Sequence, residues 1–373
     1  MFLSKGCDIL FRSYLMKQSP LKILITAPSL DETRHVSGIS TVVRQIIEHG
    51  NFSYAHFEAG RSDGEPKSFG WFLRQLRLPF RFFVTLKSGN FDVVHINTAF
   101  NPLSIYRDFA LVKAAKFAQT RIVLHVHGGK FLAQEFENLR LKNTAERMLR
   151  LADEIIVLSE LEKKIIEKRW QNLSVKALEN AVEIPTFETT EKRKNSILFL
   201  GRLTESKGLN EIIEALRTLK SEGYDFTFKA FGAGEMQNFF VDEMTKILGE
   251  DFFFGGVIAG KAKLDELNKA DIFVLPSRHG EGLPMALLEA MAAKCVCVAS
   301  EMASIGAVVR DGENGFLVRP HDTFDFFLKL RMILSANTDF EILRERARQT
   351  IAEKFNLRDY IERLEKIYAE ARR

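Results

Sequence analysis

The sequence predicts an α/β protein made of two doubly wound, parallel-sheet domains, and three observations predict it. Short β-branched apolar runs recur, each followed by turn residues and then helical periodicity, the alternation that builds such domains. The series runs twice, and the two runs are separated by residues 183–195 (EIPTFETTEKRKN), a polar stretch with Pro185 and no periodicity. The 373 residues are long for one core and comfortable for two of roughly 150 to 200 residues. The expected division is an amphipathic N-terminal extension (1–20), a first domain (21–182), a linker (183–195), a second domain (196–352) and a closing helix (353–373) that packs back toward the first domain.

The first series opens with 21–27 (LKILITA), then Pro28, a polar loop, and Gly38 at the start of a helical pattern through Ile47. On its own Gly38 is explained slightly better by the backbone freedom a helix start uses than by phosphate binding. Further parallel strands are expected at 92–96 (DVVHI), 121–127 (RIVLHVH) and 154–158 (EIIVL). His95 and His127 are expected at strand carboxyl ends, where ligands gather in such sheets. His127 is the sharper candidate because Gly128 and Gly129 follow it; His125 alternates with it and should point the same way. Segment 71–87 (WFLRQLRLPFRFFVTLK) has Arg74, Arg77, Arg81 and Lys87 among five aromatic residues and no acid. That suits a helix on anionic lipid, with Pro79 expected to interrupt it; a core helix with solvated arginines fits equally well.

The second series supplies strands at 196–200, 225–231, 252–257, 271–275, 295–299 and 315–318. After the first of them comes GRLTESKG (201–208), where Arg202 and Lys207 on a glycine-bounded loop could grip phosphate, one as a fork and one as a point charge. Taken singly, they read better as solvated cations. Gly232-Ala233-Gly234 lacks the third glycine of a dinucleotide fingerprint, whereas Gly256 and Val257 form a turn whose backbone could approach a flat base. Stretch 277–293 (SRHGEGLPMALLEAMAA) is loop and then helix, with Pro284 expected in the first helical turn. Glu281 and Glu289 are eight residues apart, a rise of up to ~12 Å if all helical. Carboxylates serving one glycosidic bond are typically about 5 to 9.5 Å apart, so a ligand with hydroxyls at both ends and charge between them fits better than a hydrolase substrate.

Composition narrows the class. Hydrophobic content of 46%, charged content of 27% and a net charge of +4 are ordinary for a globular chain and do not require a nucleic-acid partner, for which no motif is found. Cys7, Cys295 and Cys297 make no disulfide framework, and no apolar run reaches the roughly 18 residues of a membrane span. The chain reads as cytoplasmic.

These motifs resemble those of the retaining GT-B glycosyltransferases of the family 4 type, over most of the chain. GRLTESKG resembles the family's diphosphate loop, and FVLPSRHGEGLPMALLEAMA, ending at Ala292, its E-x7-E signature; Gly38, HVHGG (125–129) and NAVEIP (180–185) precede them, and the order of the motifs agrees with the family's. The resemblance implies two Rossmann-like domains facing across a cleft and transfer of a sugar, a hexose above all, from a UDP- or GDP-sugar to a glycan or lipid-linked acceptor. It further implies that Arg202 and Lys207 neutralise the leaving diphosphate. Glu281, with the N–H groups of Gly282 and Leu283 ahead of Pro284, would hold donor-sugar hydroxyls, and Glu289 the ribose. His127 would lie beside the donor sugar, and Gly38 would let its loop approach the phosphates or acceptor. Ser37 stands where the family often has a second glycine, and NAVEIP replaces the commoner N-G-V-D. No D-x-D triplet is present, so no cofactor and no metal is expected. Surface polysaccharide synthesis on the cytoplasmic face of the inner membrane is the context this family suggests. A GT-B-like nucleotide-sugar epimerase and a non-catalytic nucleotide-sugar-binding subunit remain as alternatives.

Overall fold

Twelve parallel strands fall into two six-stranded sheets in a computed structural model, which describes residues 20–31, 37–60, 68–133, 135–136, 138–184, 192–279, 281–302, 304–336 and 340–372. The expected N-terminal extension thus lies outside the described residues, apart from Pro20, as does Gly280. The first sheet has the order β2-β1-β3-β4-β5-β6, with β1 Lys22–Ala27, β2 Ser53–Glu58, β3 Val93–Thr98, β4 Arg121–Val126, β5 Glu154–Val157 and β6 Val175–Ala177. The second has the order β12-β11-β10-β7-β8-β9, with β7 Arg193–Leu200, β8 Thr227–Phe231, β9 Phe252–Phe254, β10 Ala270–Leu275, β11 Val296–Ser300 and β12 Phe316–Val318. Strand order reverses between β1 and β3 in one sheet and between β7 and β10 in the other. Open α/β sheets leave a crevice at such points, above the strand carboxyl ends.

Both faces of each sheet are covered, which is why the strands read as apolar runs rather than as alternating ones. In β1, Ile23 and Ile25 join one buried cluster and Leu24 another, each about 0–1% exposed. The first cluster continues into the second domain by way of α14, Leu357–Arg372. That last helix lies on the first domain. Glu365 accepts from the Asn51 N–H (2.6 Å) and side chain (3.1 Å), Arg363 donates to the Ala177 carbonyl (2.8 Å), and Lys176 pairs with Glu370. The chain leaves the first domain at Val182, whose N–H donates to the Phe355 carbonyl and whose carbonyl accepts from the Leu357 N–H, so the outgoing and returning crossings are pinned together.

Several expectations are corrected. Helix α2, Phe69–Gly89, is continuous, and Pro79 does not interrupt it. The penalty of an interior helix proline, about 3 kcal/mol for the lost hydrogen bond and the ring clash together, is opposed by Leu78, Phe82 and Leu86 packing beneath the helix. His95 sits in the middle of β3 rather than at its carboxyl end, fully buried. The segment read as linker ends in structure, since β7 already begins at Arg193. Pro284 stands just outside its helix, its ψ of 123° holding it extended ahead of Met285.

Candidate active site

The two loops at the switch point of the second sheet meet. Gly201 to Gly208 follows β7 and includes a short 3-10 turn, Glu205–Lys207; the other loop follows β10 and ends at α10, Met285–Ala292. Gly208 has φ +72°, and a Cβ there would lie 1.9 Å from the Pro276 carbonyl oxygen, so only glycine permits the approach. Across the seam Lys207 pairs with Glu281, and Ser277 Oγ donates to the same Glu281 oxygen at 2.6 Å. Burial pushes the Glu281 carboxyl up, but Lys207 charge, the Lys207 and Ser277 hydrogen bonds and Arg202 charge outweigh it and hold the pKa below the usual carboxylate value. Arg202 is exposed and has no hydrogen bond or ion pair among the described residues. One oriented carboxylate therefore sits beside two cations, one of them uncommitted.

The opposite wall comes from the first domain. Gly128, at φ +68°, would place a Cβ 2.9 Å from the Gly282 Cα, so the loop after β4 touches the Glu281 loop backbone to backbone. Gly38 opens α1, Gly38–His49, with room for a Cβ 3.8 Å from Met285 Cγ. His127 Nε2 lies 2.6 Å from Asn97 Oδ1, while Asn97 Nδ2 donates to the Thr26 carbonyl at 2.7 Å. This network assigns Nε2–H as the donor and leaves Nδ1 as the acceptor of a neutral ring. Burial lowers the His127 pKa to about 3.

Behind His127 runs a column of rings. His125 lies 4.0 Å from it and His95 5.3 Å beyond, centroid to centroid, and His95 Nδ1 is 2.6 Å from the Tyr368 hydroxyl on α14. Both His125 ring nitrogens and His95 Nε2 are buried without hydrogen-bond partners among the described residues. Burial first, then the neighbouring histidines, hold His125 well below its usual value and His95 at about 3.

Structure thus gathers Gly38, His127, Arg202, Lys207, Glu281, Gly282, Leu283 and Pro284 around one crevice. Glu289 lies on α10 and is held by Lys263 at 2.7 Å; Gly256 and Val257 follow β9, three strands from β10, with Gly256 accepting from the Gly232 N–H at 2.7 Å.

Known proteins share this fold. The family model for glycosyl transferases group 1 matches residues 181–352, and that for glycosyltransferase family 4 matches 38–184. The chain is a GT-B glycosyltransferase of the group 1, family 4 type. It is 24% identical over 385 residues to an uncharacterized glycosyltransferase of Methanocaldococcus jannaschii, covering 96% of this chain and 92% of that one. It is 34% identical over 170 residues to the putative colanic acid biosynthesis glycosyltransferase WcaL of Salmonella typhimurium, covering 43% and 41%. Among solved structures, Anabaena HepE in complex with UDP-glucose has a TM-score of 0.74 at 17% identity, covering 94% of this chain and all of that one, which shows the shared fold.

Two residues that shape this crevice have roles the sequence does not show. Asn180 Nδ2 donates to the Leu283 carbonyl at 2.8 Å, tying the end of the first domain to the Glu281 loop. Asn97 orients His127 from 30 residues away. No local spacing links either to its partner; only a strand-end position hinted at Asn97.

Proposed function

We propose that this glycosyltransferase moves a hexosyl group, with retention at the anomeric carbon, from a UDP- or GDP-sugar to a glycan or lipid-linked acceptor. The context proposed is surface polysaccharide synthesis at the cytoplasmic face of the inner membrane. One observation carries the reading: a hydrogen-bonded Glu281 beside Lys207 and an uncommitted Arg202, at the switch point of the second sheet and against the His127 loop. The colanic acid relative and the UDP-glucose complex of HepE support it.

In this reading Arg202 and Lys207 bind the diphosphate where negative charge develops as the anomeric C–O bond breaks. Glu281, with the N–H groups of Gly282 and Leu283, holds sugar hydroxyls, and the His127 Nδ1 accepts one more. Gly38 lies by the phosphates or acceptor, Gly256 and Val257 flank the base, and Glu289 holds the ribose once Lys263 yields it. The acceptor oxygen bonds to the anomeric carbon on the face the diphosphate leaves, and its proton passes to the departing phosphate oxygen. Neither glutamate serves as nucleophile, and no metal is required. Thermal-shift screening against UDP- and GDP-sugars, followed by acceptor-dependent nucleotide release with and without EDTA, tests this. Stabilisation by none of the donors would overturn the donor assignment, release without acceptor would overturn transfer, and loss in EDTA would overturn metal independence.

A second part of the proposal concerns α2, whose outer face carries Phe69, Phe72, Leu76, Phe80 and Val84, all exposed, opposite the buried Leu78, Phe82 and Leu86. Arg74, Arg77 and Arg81 flank that stripe, and no acid lies between residues 69 and 89. We read this as the face that meets an anionic lipid surface. Among the described residues no helix is long and apolar enough to cross a membrane.

A further inference from the structure

The loop that carries Glu281 holds another cation, Arg278, and its position beside the site suggests a third phosphate ligand. Its hydrogen bonds indicate a different role. Arg278 Nε donates to Glu211 Oε1 at 2.6 Å and Nη1 to Glu205 Oε1 at 2.9 Å, while its backbone N–H donates to the Ser206 carbonyl at 2.8 Å. Glu205 and Ser206 precede Lys207 on the opposing loop, and Glu211 lies in the first turn of α7, Leu209–Ser221, directly after it. Glu211 is 2% exposed, and among the described residues its Oε2 has no hydrogen-bond partner. Without Arg278 it would be a buried, unpaired carboxylate, a strongly unfavourable state.

We propose that Arg278 is a positioning residue that locks the loop of Arg202 and Lys207 to the loop of Glu281, and that it is not itself a ligand of phosphate. The claim rests on the nucleotide-diphosphate reading of these loops. Its geometry is that of a planar fork: two nitrogens hold two carboxylates on one side of the seam, while Gly208 and Pro276 close the other. Lys207 and Glu281 are then presented at a fixed separation before any ligand arrives, and small misplacements of such groups are costly.

The test compares Arg278→Gln, Arg278→Lys, Glu211→Gln, Glu205→Gln and the Arg278→Gln/Glu211→Gln double variant with the wild type. Amide exchange over residues 201–208 is followed in the free proteins, and UDP and GDP are titrated by calorimetry. Arg278→Gln and Glu211→Gln should each speed exchange at residues 205–208 and weaken the nucleotide that binds by about tenfold, with the double variant no worse than the weaker single. Arg278→Lys should fall between, since an ammonium lacks the fork. Exposed Glu205, whose replacement does not endanger the fold, should give a smaller effect of the same sign. Unchanged exchange at 205–208 in Arg278→Gln would overturn the proposal. So would weakened binding in Arg278→Gln with binding kept or tightened in Glu211→Gln, the pattern of a direct phosphate ligand. Wild type that binds neither nucleotide would count against the donor reading, and the exchange data would still decide the role of Arg278.

Discussion

At the scale of single residues, the Lys207–Glu281 pair sets how the site can be probed. Both side chains are largely buried, 15% and 7% exposed, so truncating either strands the other charge. Glu281→Gln keeps the shape and can still bond Ser277, and it should lower transfer on the order of 10²-fold, with a lower melting temperature because the buried Lys207 ammonium loses its counter-charge. Lys207→Gln should cost a similar factor. Initial rates of nucleotide release in the presence of acceptor measure both, and near-normal turnover in the two variants would remove these residues from the mechanism. The depressed Glu281 pKa means that this carboxylate stays charged through neutral and mildly acidic pH, so its protonation should not limit donor binding there.

At the scale of elements, α2 shows how a helix can be apolar on two faces for two reasons. Leu78, Phe82 and Leu86 recur every four residues and anchor it; Phe69, Phe72, Leu76, Phe80 and Val84 recur at three or four and face outward, Phe69 at 77% and Phe80 at 71% exposure. The sequence shows one aromatic, basic stretch and does not separate these faces, because which stripe is covered depends on the α2 contact with α3, Pro102–Ala118. Replacing Phe72, Leu76 and Phe80 by Ser, or Arg74, Arg77 and Arg81 by Gln, should weaken cosedimentation with vesicles containing phosphatidylglycerol. Each basic group is worth about 1 kcal/mol near an acidic surface, and the effect should shrink as salt is raised. Equal recovery of wild type and both variants in the pellet would refute a membrane role for this face.

Sheet edges teach a related lesson. All six strands of the second sheet and four of the first are legible as apolar runs. The two that are not, β2 and β6, are the outermost strands of the first sheet, and β2 reads SYAHFE with only Phe57 buried. An edge strand that buries little and is polar carries less of the signal that periodicity detects, whereas the second sheet's edge strands, β9 (FFF) and β12 (FLV), are apolar throughout and stay legible.

At the scale of the whole molecule, the column His127, His125, His95 and Tyr368 links the crevice along one face of the first sheet to the last helix. All three histidines are held neutral by burial, far below their ordinary value of 6.5. The unfolded chain therefore binds more protons than the folded one below about pH 6.5, and stability falls as pH falls from there toward about 3. Each group contributes up to about 1.4 kcal/mol per pH unit in that window. Urea unfolding at pH 7.5, 6.5 and 5.5 should show this loss, and His125→Phe should make the decline shallower by about one proton's worth. Stability that stays level between pH 7.5 and 5.5 would contradict a neutral column.

What the sequence by itself determined is local: the alternation of strand and helix in two series, the glycine-bounded cation loop at 201–208, and Glu281 ahead of a helix. Each is written in neighbouring residues, because backbone preference, burial period and turn chemistry act over a few positions. Only the tertiary structure decided which of these meet. Glu281 pairs with Lys207 from 74 residues away, Asn180 reaches Leu283 over 103, and Tyr368 reaches His95 over 273. Such contacts follow from strand order and from the seating of α14 on the first domain, and no spacing within the chain encodes them. For the same reason nothing in the sequence singles out Arg278: its two carboxylate partners come near only when β7 and β10 lie side by side.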